Sequence, residues 1–265
     1  MKAVRATVRR RHVLIDLLAL PCGLILAAAG SPASAAGCVF EAQGEGRVAS
    51  VLDARSFRLQ DGREVRLTGI EPSGNADDAT ALSAILAGKD VTLRGEDDAP
   101  DRYGRQNVFV FLADSDPPVQ AQLLERGAAL ISATIADKDC AAVLVAAENK
   151  GREAKQGVWA TPAAIKNAES AGDILTGIGR FTLVEGKVLS VRRAGATTYL
   201  NFGRNWTRDF AVTISRRNLP GFEAAGIVLK SLENKRIRVR GWIEARPGPR
   251  IEVLHVGQIE LIGGN

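Results

Sequence analysis

From residue 46 the chain reads GRVASVLDARSFRLQDGREVRLTGI, in which β-branched and aromatic residues alternate with charged ones and Asp61-Gly62 separates two such runs. The alternation predicts three strands, with a tight hairpin turn between the second and third. Residues 76–86 switch to helical spacing, with Ala79, Leu82, Ala84, Ile85 and Leu86 as apolar positions and Asp77 or Asp78 as the cap. Further strands are predicted over 89–94 and 106–112, and helices over 118–127 and 141–155, closed at Gly127 and near Gly157. Five strands, a helix after the third and two helices behind them describe a small barrel of the oligonucleotide-binding (OB) type. A second series of short strands is predicted at 181–191, 197–203, 210–215, 236–244 and 251–261, with a helical stretch at 219–232 between the third and fourth. The order repeats that of the first series, and GKVLSV at 186–191 echoes GRVASV at 46–51. The expected fold class is therefore α+β, mainly β with helices. A barrel with three helices occupies 36–160, a linker rich in alanine and small polar residues 161–178, and a second small OB-like β-barrel 179–265.

The first residues follow a different pattern. Lys2, Arg5, Arg9, Arg10 and Arg11 form a basic leader, residues 14–29 are mostly apolar, and Ala33-Ser34-Ala35 fits a small-x-small cleavage signal. Residues 1–35 thus read as a secretory signal peptide, and the mature chain is expected to be exported, either periplasmic or secreted. Arg10-Arg11 leave the general and twin-arginine routes both open. The apolar run is short for a bilayer crossing, is broken by Pro21 and Gly23, and has no hydrophobic successor, so no membrane span is expected in the mature chain.

Setting the leader aside changes the charge balance. The whole chain has 35 basic and 30 acidic residues; beyond residue 35 there are 30 and 29. They are unevenly placed, with 15 basic against 21 acidic over 36–170 and 15 against 8 over 171–265. A basic second half suits either a polyanion-binding module or mutual attraction between the two halves.

Of the three cysteines, Cys22 lies in the leader, leaving Cys38 and Cys140. Two cysteines in an exported chain predict one disulfide. The competing reading is a lipoprotein, because Ala35-Ala36-Gly37 precedes Cys38, but a large aliphatic residue is missing three positions before it.

The candidate chemistry lies in VRLTGIEPSG, residues 65–74, and DRYGR, residues 101–105, each of which places an arginine beside a glycine-containing turn. A guanidinium so placed suits gripping a phosphate. Seven segments in one order, GRVASVLDARSFRL, VRLTGIEPSG, ALSAIL, GKDVTL, DRYGRQNVFVFL, LLERGAAL and AAENKGREAKQGVWA, resemble the staphylococcal nuclease family, also called thermonuclease-like domains, over residues 46–160. The resemblance implies an SNase-type OB barrel and, in active members, calcium-dependent cleavage of DNA and RNA. It implies that Arg66 and Arg105 are the two phosphate-binding arginines and that Tyr103 is the aromatic residue at the nucleotide pocket.

Other positions depart from the family. Where its first hairpin has Asp-Gly-Asp-Thr, this chain has Asp53, Ala54, Arg55 and Ser56, so a calcium-binding aspartate has become Arg55. The next metal ligand aligns with Glu71, still a carboxylate, and the glutamate that activates water aligns with Gly74. Asp53 reads as a turn stabiliser with a weaker claim on metal, Glu71 as a candidate calcium ligand, and Arg55 as a further contact to a phosphate. Asp77, Asp78 or Glu71 could replace the missing carboxylate; the plainer reading of Asp77 and Asp78 is helix capping. Arg66 and Arg105 could equally pair with Glu71 and Asp101 and serve the fold. Calcium is expected only if the protein is active. Imidazole ligation is excluded beyond the leader, where His255 is the one histidine.

In the second half, Arg192, Arg193, Arg204, Arg208, Arg216, Arg217, Arg236, Arg238 and Arg240 are interleaved with Tyr199, Phe202, Trp206 and Trp242. This pattern suits stacking on single strands, or else a barrel core with a solvated basic face. Three functions follow as alternatives: a nuclease-derived domain that binds nucleic acid or another polyanion with phosphodiesterase activity weakened or lost, an active DNA/RNA nuclease with a rearranged site, or an envelope scaffold that meets a protein partner through its basic second barrel.

Overall fold

The computed structural model describes residues 38, 40–112, 117–132, 135 and 137–263. The leader, its cleavage signal and Cys22 lie outside the described residues.

The first barrel is built from β1 (Glu41–Asp53), β2 (Ser56–Leu59), β3 (Glu64–Leu67), a short β4 (Ile70–Pro72), α1 (Asp78–Leu86), β5 (Asp90–Gly95) and β6 (Gln106–Leu112), followed by α2 (Val119–Glu125), β7 (Ala129–Ile131) and α3 (Lys138–Glu153). Five strands close in the order β1-β2-β3-β6-β5, with β1 long enough to pair with β5 through its first half and β2 through its second. β3 and β6 run parallel, and the other neighbours antiparallel. The alternation seen in the sequence points inward as expected, burying Phe57, Leu59, Val65, Leu67, Leu93, Val108 and Val110. β4 and β7 form a two-stranded ribbon outside the ring, with Ile70 opposite Ile131 and Glu71 opposite Leu130. Buried Cys38 and Cys140 form a disulfide across a sequence separation of 102, tying the start of the barrel to α3. Cys38 sulfur is thus committed to a protein bond and not to a lipid.

The stretch expected as a linker is structured. It carries β8 (Ile165–Asn167), which pairs in parallel with β9 (Phe181–Lys187), and α4 (Ala171–Leu175); Ala168 and Ile174 are buried with the second core. Then come β10 (Ser190–Ala194), β11 (Thr197–Asn201), β12 (Ala211–Ser215), α5 (Leu219–Ala224), β13 (Arg236–Ala245), β14 (Pro249–Val253) and β15 (Ile259–Leu261). The predicted helix at 219–232 is shorter than expected, because α5 is followed by Gly226 at φ +71 and the chain resumes only as a single 3-10 turn, Leu229–Leu232.

The predicted strand 181–191 is split into β9 and β10 at Val188-Leu189. Hydrogen bonds continue across the break, from Val188 N–H to Lys235 and from Leu189 N–H to Asn201. β10-β11-β12-β14-β13-β9 therefore runs from one half of a bent strand back to its other half, with β12 and β14 parallel as β3 and β6 are. The same OB-type order is built twice.

Two hydrophobic cores result, one in each half and each shared by strands and helices, and a third cluster of Leu130, Trp159 and Leu183 bridges them. Beside it, Glu148 of α3 meets Arg240 of β13 in a bidentate pair at 3.1 and 3.0 Å, with side-chain exposures of 1% and 8%. Glu148 also accepts the Ile131 N–H at 2.9 Å, and Arg240 donates to the Ile131 carbonyl at 3.1 Å. Arg238, expected with Arg240 on a basic face, is likewise buried and pairs with Glu185 and, at 3.0 Å, with Glu260. Arg240 joins the halves, Arg238 ties strands within the second, and neither presents a free cation to solvent. Among the described residues no helix is long and apolar enough to cross a membrane.

Candidate phosphate-binding site

The ring of the first barrel brings three arginines to one edge. Arg66 lies in β3, opposite Ser56 on β2 and Asn107 on β6. Arg55 immediately precedes β2, and its carbonyl accepts the Leu67 N–H at 2.8 Å. Arg105 immediately precedes β6. The antiparallel pairing on one side of Arg66 and the parallel pairing on the other thus deliver Arg55 and Arg105 to its two flanks.

Their partners differ. Arg105 is held by Asp101 through Nε at 2.9 Å and Nη2 at 2.7 Å, while the other carboxylate oxygen accepts the N–H groups of Tyr103 and Arg105 at 2.8 and 3.0 Å. This lattice shapes the DRYGR turn, and the Arg105 guanidinium holds the Asp101 carboxyl down to about 2. Tyr103 is 64% exposed, with its ring against Arg102 and Arg105, at 4.7 and 5.0 Å from their guanidinium carbons. Arg55 forms an ion pair with Glu71 and donates to the Ile70 carbonyl at 3.3 Å. Asp53 accepts the Arg55 N–H at 2.8 Å, closing the turn before β2, as a turn stabiliser should.

Arg66 has no carboxylate or hydrogen-bonding partner for its side chain among the described residues. Burial first, and then the positive charges of Arg55 and Arg105, push its pKa below the usual guanidinium value. Glu71 and Asp53 oppose this, but more weakly. The expected alternatives are thereby separated: Arg105 does pair with Asp101, Glu71 goes to Arg55, and Arg66 is left without an ion-pair partner among the described residues.

The calcium set implied by the resemblance does not fit these residues. Glu71 is engaged by a guanidinium standing where that family has a second carboxylate, and a cation there repels a metal as well as removing an oxygen donor. Among the described residues no group of three or more His, Cys, Asp or Glu side chains is placed to hold a metal ion.

The neighbouring carboxylates do not fill the gap. Asp77 precedes α1 without a side-chain capping bond, contrary to expectation. Asp78 is not a cap either: its buried carboxylate accepts Ser73 Oγ at 2.8 Å, Gly74 N–H at 2.9 Å and Asn75 N–H at 3.2 Å, wrapping the 73–75 loop around itself. Burial pushes the Asp78 carboxyl up despite those bonds. Gly74 has φ +87, so a glutamate side chain at this position would be strained even though the space beside it is open.

The sequence pattern pointed to every residue of this edge, but not to Glu148 or Arg240. The signal for Glu148 is positional, since it falls in the stripe Leu144, Ala147, Gly151 that α3 buries.

The family model described as staphylococcal nuclease homologue matches residues 71–161. That span includes Glu71, Gly74, Tyr103 and Arg105, while Asp53, Arg55 and Arg66 precede it. No curated protein matches the chain. A domain of this kind points to a nuclease-like or nucleic-acid-binding role. With its closed five-stranded barrel, its helices and this match together, the chain carries a staphylococcal nuclease-family domain.

Proposed function

We propose that the first barrel binds a phosphate of nucleic acid, or of a chemically similar polyanion, at the edge formed by Arg55, Arg66 and Arg105, and that calcium-dependent cleavage is weakened or lost. The observation that carries this reading is Arg66, a partly buried cation with two like charges beside it and no ion-pair partner among the described residues. A phosphate oxygen would relieve that repulsion and gain charge-assisted hydrogen bonds. Tyr103, exposed beside Arg105, is suited to pack on a sugar or base next to the bound phosphate. Loss of cleavage is supported by the Arg55–Glu71 pair, by the absence of a metal-holding group among the described residues, and by Gly74, which carries no base where the family has its glutamate. A missing general base alone costs about 10²–10⁴ in rate. The protein acts outside the cytoplasm, periplasmic or secreted, a reading supported by the leader pattern of residues 1–35.

The test is to incubate the chain lacking residues 1–35 with single-stranded DNA and RNA, in calcium and in chelator, while following binding by anisotropy at several salt concentrations. Binding without cutting is expected, with the salt dependence reduced by about 0.7 of a log unit per log unit in Arg66→Ala. Calcium-dependent cutting abolished by Arg66→Ala would overturn the reading.

A further inference from the structure

The second barrel has a groove of about 800 Å³ on the outer face of β10, β11 and β12, away from its core. Its floor comes from alternate strand positions that point outward, including Tyr199, which lies opposite Arg192 on one side and Thr213 on the other. One wall is the loop between β11 and β12. There Asn205 N–H donates to Asp209 at 2.8 Å, and the Asn205 side chain accepts Thr207 N–H at 3.1 Å. Backbone N–H groups of Arg208 and Asp209 return to the Asn205 carbonyl. These bonds present Trp206 at the tip of a tight turn, 72% exposed. The β13–β14 loop braces that turn so closely that a side chain at Gly248 would meet the Asp209 carbonyl at 3.0 Å.

Charge defines the occupant. Arg192, Arg204 and Arg246 line the groove from three separate elements, all exposed, and none has a carboxylate partner among the described residues. Arg250 is neutralised by Glu244 at 2.9 Å, and the lining carboxylate of Asp209 is occupied by its own loop. A large apolar ring held out in water, with a second ring on the floor and unpaired guanidinium groups between, matches a chain that alternates phosphates with open π-faces. A duplex hides those faces by stacking. We infer that this groove binds a short single-stranded nucleic-acid segment, with Trp206 and Tyr199 stacking on bases and Arg192, Arg204 and Arg246 meeting phosphates.

This site is separate from the Arg66 edge, and the experiment keeps the two apart. The chain lacking residues 1–35 and carrying Arg66→Ala is titrated with an oligothymidylate of about twelve nucleotides, following tryptophan emission. Saturable quenching is expected, absent in Trp206→Phe, with log affinity falling against log salt with a slope near −2 for three phosphates neutralised. Trp206→Ala should weaken binding by about fivefold to a hundredfold while leaving the far-UV spectrum and Tm unchanged. Replacing all three arginines by alanine should flatten the salt slope. An abasic strand or polyglutamate binding as tightly as the oligothymidylate would overturn the inference, in the second case in favour of an acidic peptide. So would the absence of quenching at low salt, or unchanged affinity in Trp206→Ala.

Discussion

Replacing Arg240 by alanine should destabilise the protein far more than replacing any of its exposed arginines. Arg240 and Glu148 are both buried, share two hydrogen bonds, and together satisfy the N–H and carbonyl of Ile131. Truncating one partner leaves the other buried charge with only a longer contact, Glu148 with Arg152 at 3.6 Å or Arg240 with Glu260 at 4.0 Å, and costs about 3–5 kcal/mol. Glu148→Ala should cost at least as much, because the Ile131 N–H also loses its acceptor, a penalty of about 1–3 kcal/mol. The double variant Arg240→Met with Glu148→Gln removes both charges and keeps an acceptor for Ile131, so it should recover most of the loss. Denaturant unfolding followed by tryptophan fluorescence and by circular dichroism measures all three. Trp159 reports on the junction, since it packs with Leu130 and Leu183 and stacks under Arg152 at 5.3 Å. If the single substitutions each cost less than about 0.5 kcal/mol, the range of an ordinary surface site, or if their effects simply add, the pair does not hold the halves together.

Arg66→Met should weaken anion binding yet raise stability by about 0.5–2 kcal/mol, because it removes a cation crowded by Arg55 and Arg105; a fall in Tm would refute the crowding. Asp101 should titrate near 2 by carboxyl NMR and move up toward 3.8 in Arg105→Ala. Since its folded pKa is depressed, the stability it contributes is complete above about pH 4 and is lost as pH falls toward 2; an unmoved pKa in the variant would show that Arg105 is not the cause. The chain lacking residues 1–35 should show no free thiol until it is reduced and two afterwards. Removing both cysteines should cost up to about 4.7 kcal/mol in chemical denaturation, the chain-entropy value for a loop of about 100 residues.

Most strands could be read in the sequence because one face of each is buried, so polarity alternates. The exceptions have physical reasons. Ile70–Pro72, Ala129–Ile131 and Ile165–Asn167 are three residues long, too short to show a period, and the last lies in an alanine-rich stretch that resembles a linker. The bend at Val188-Leu189 leaves no mark in composition, so β9 and β10 read as one strand. At the site, arginine and glycine positions were legible in VRLTGIEPSG and DRYGR. The pairing of Arg105 with Asp101, one turn away, was legible as an alternative; that Glu71 goes to Arg55 was not, because Arg66 lies closer to Glu71 in sequence and only the three-dimensional pairing brings Arg55 to it. Asp78 was misread as a cap for a similar reason: the residue type suits either an N-terminus or a loop, and the loop wins because three donors converge on it.

The parallel neighbours in each ring also govern how the chain finds its structure. Hairpins such as β2–β3 and β10–β11 join residues close in sequence, but Val65 must meet Gln106, and Ala211 must meet Arg250, before either ring is complete. Loop-closure entropy makes such distant pairings late and slow. Until they form, β3 and β12 each expose an unpaired edge of the same orientation. The two halves then offer each other plausible wrong partners, so refolding should grow less efficient as protein concentration rises.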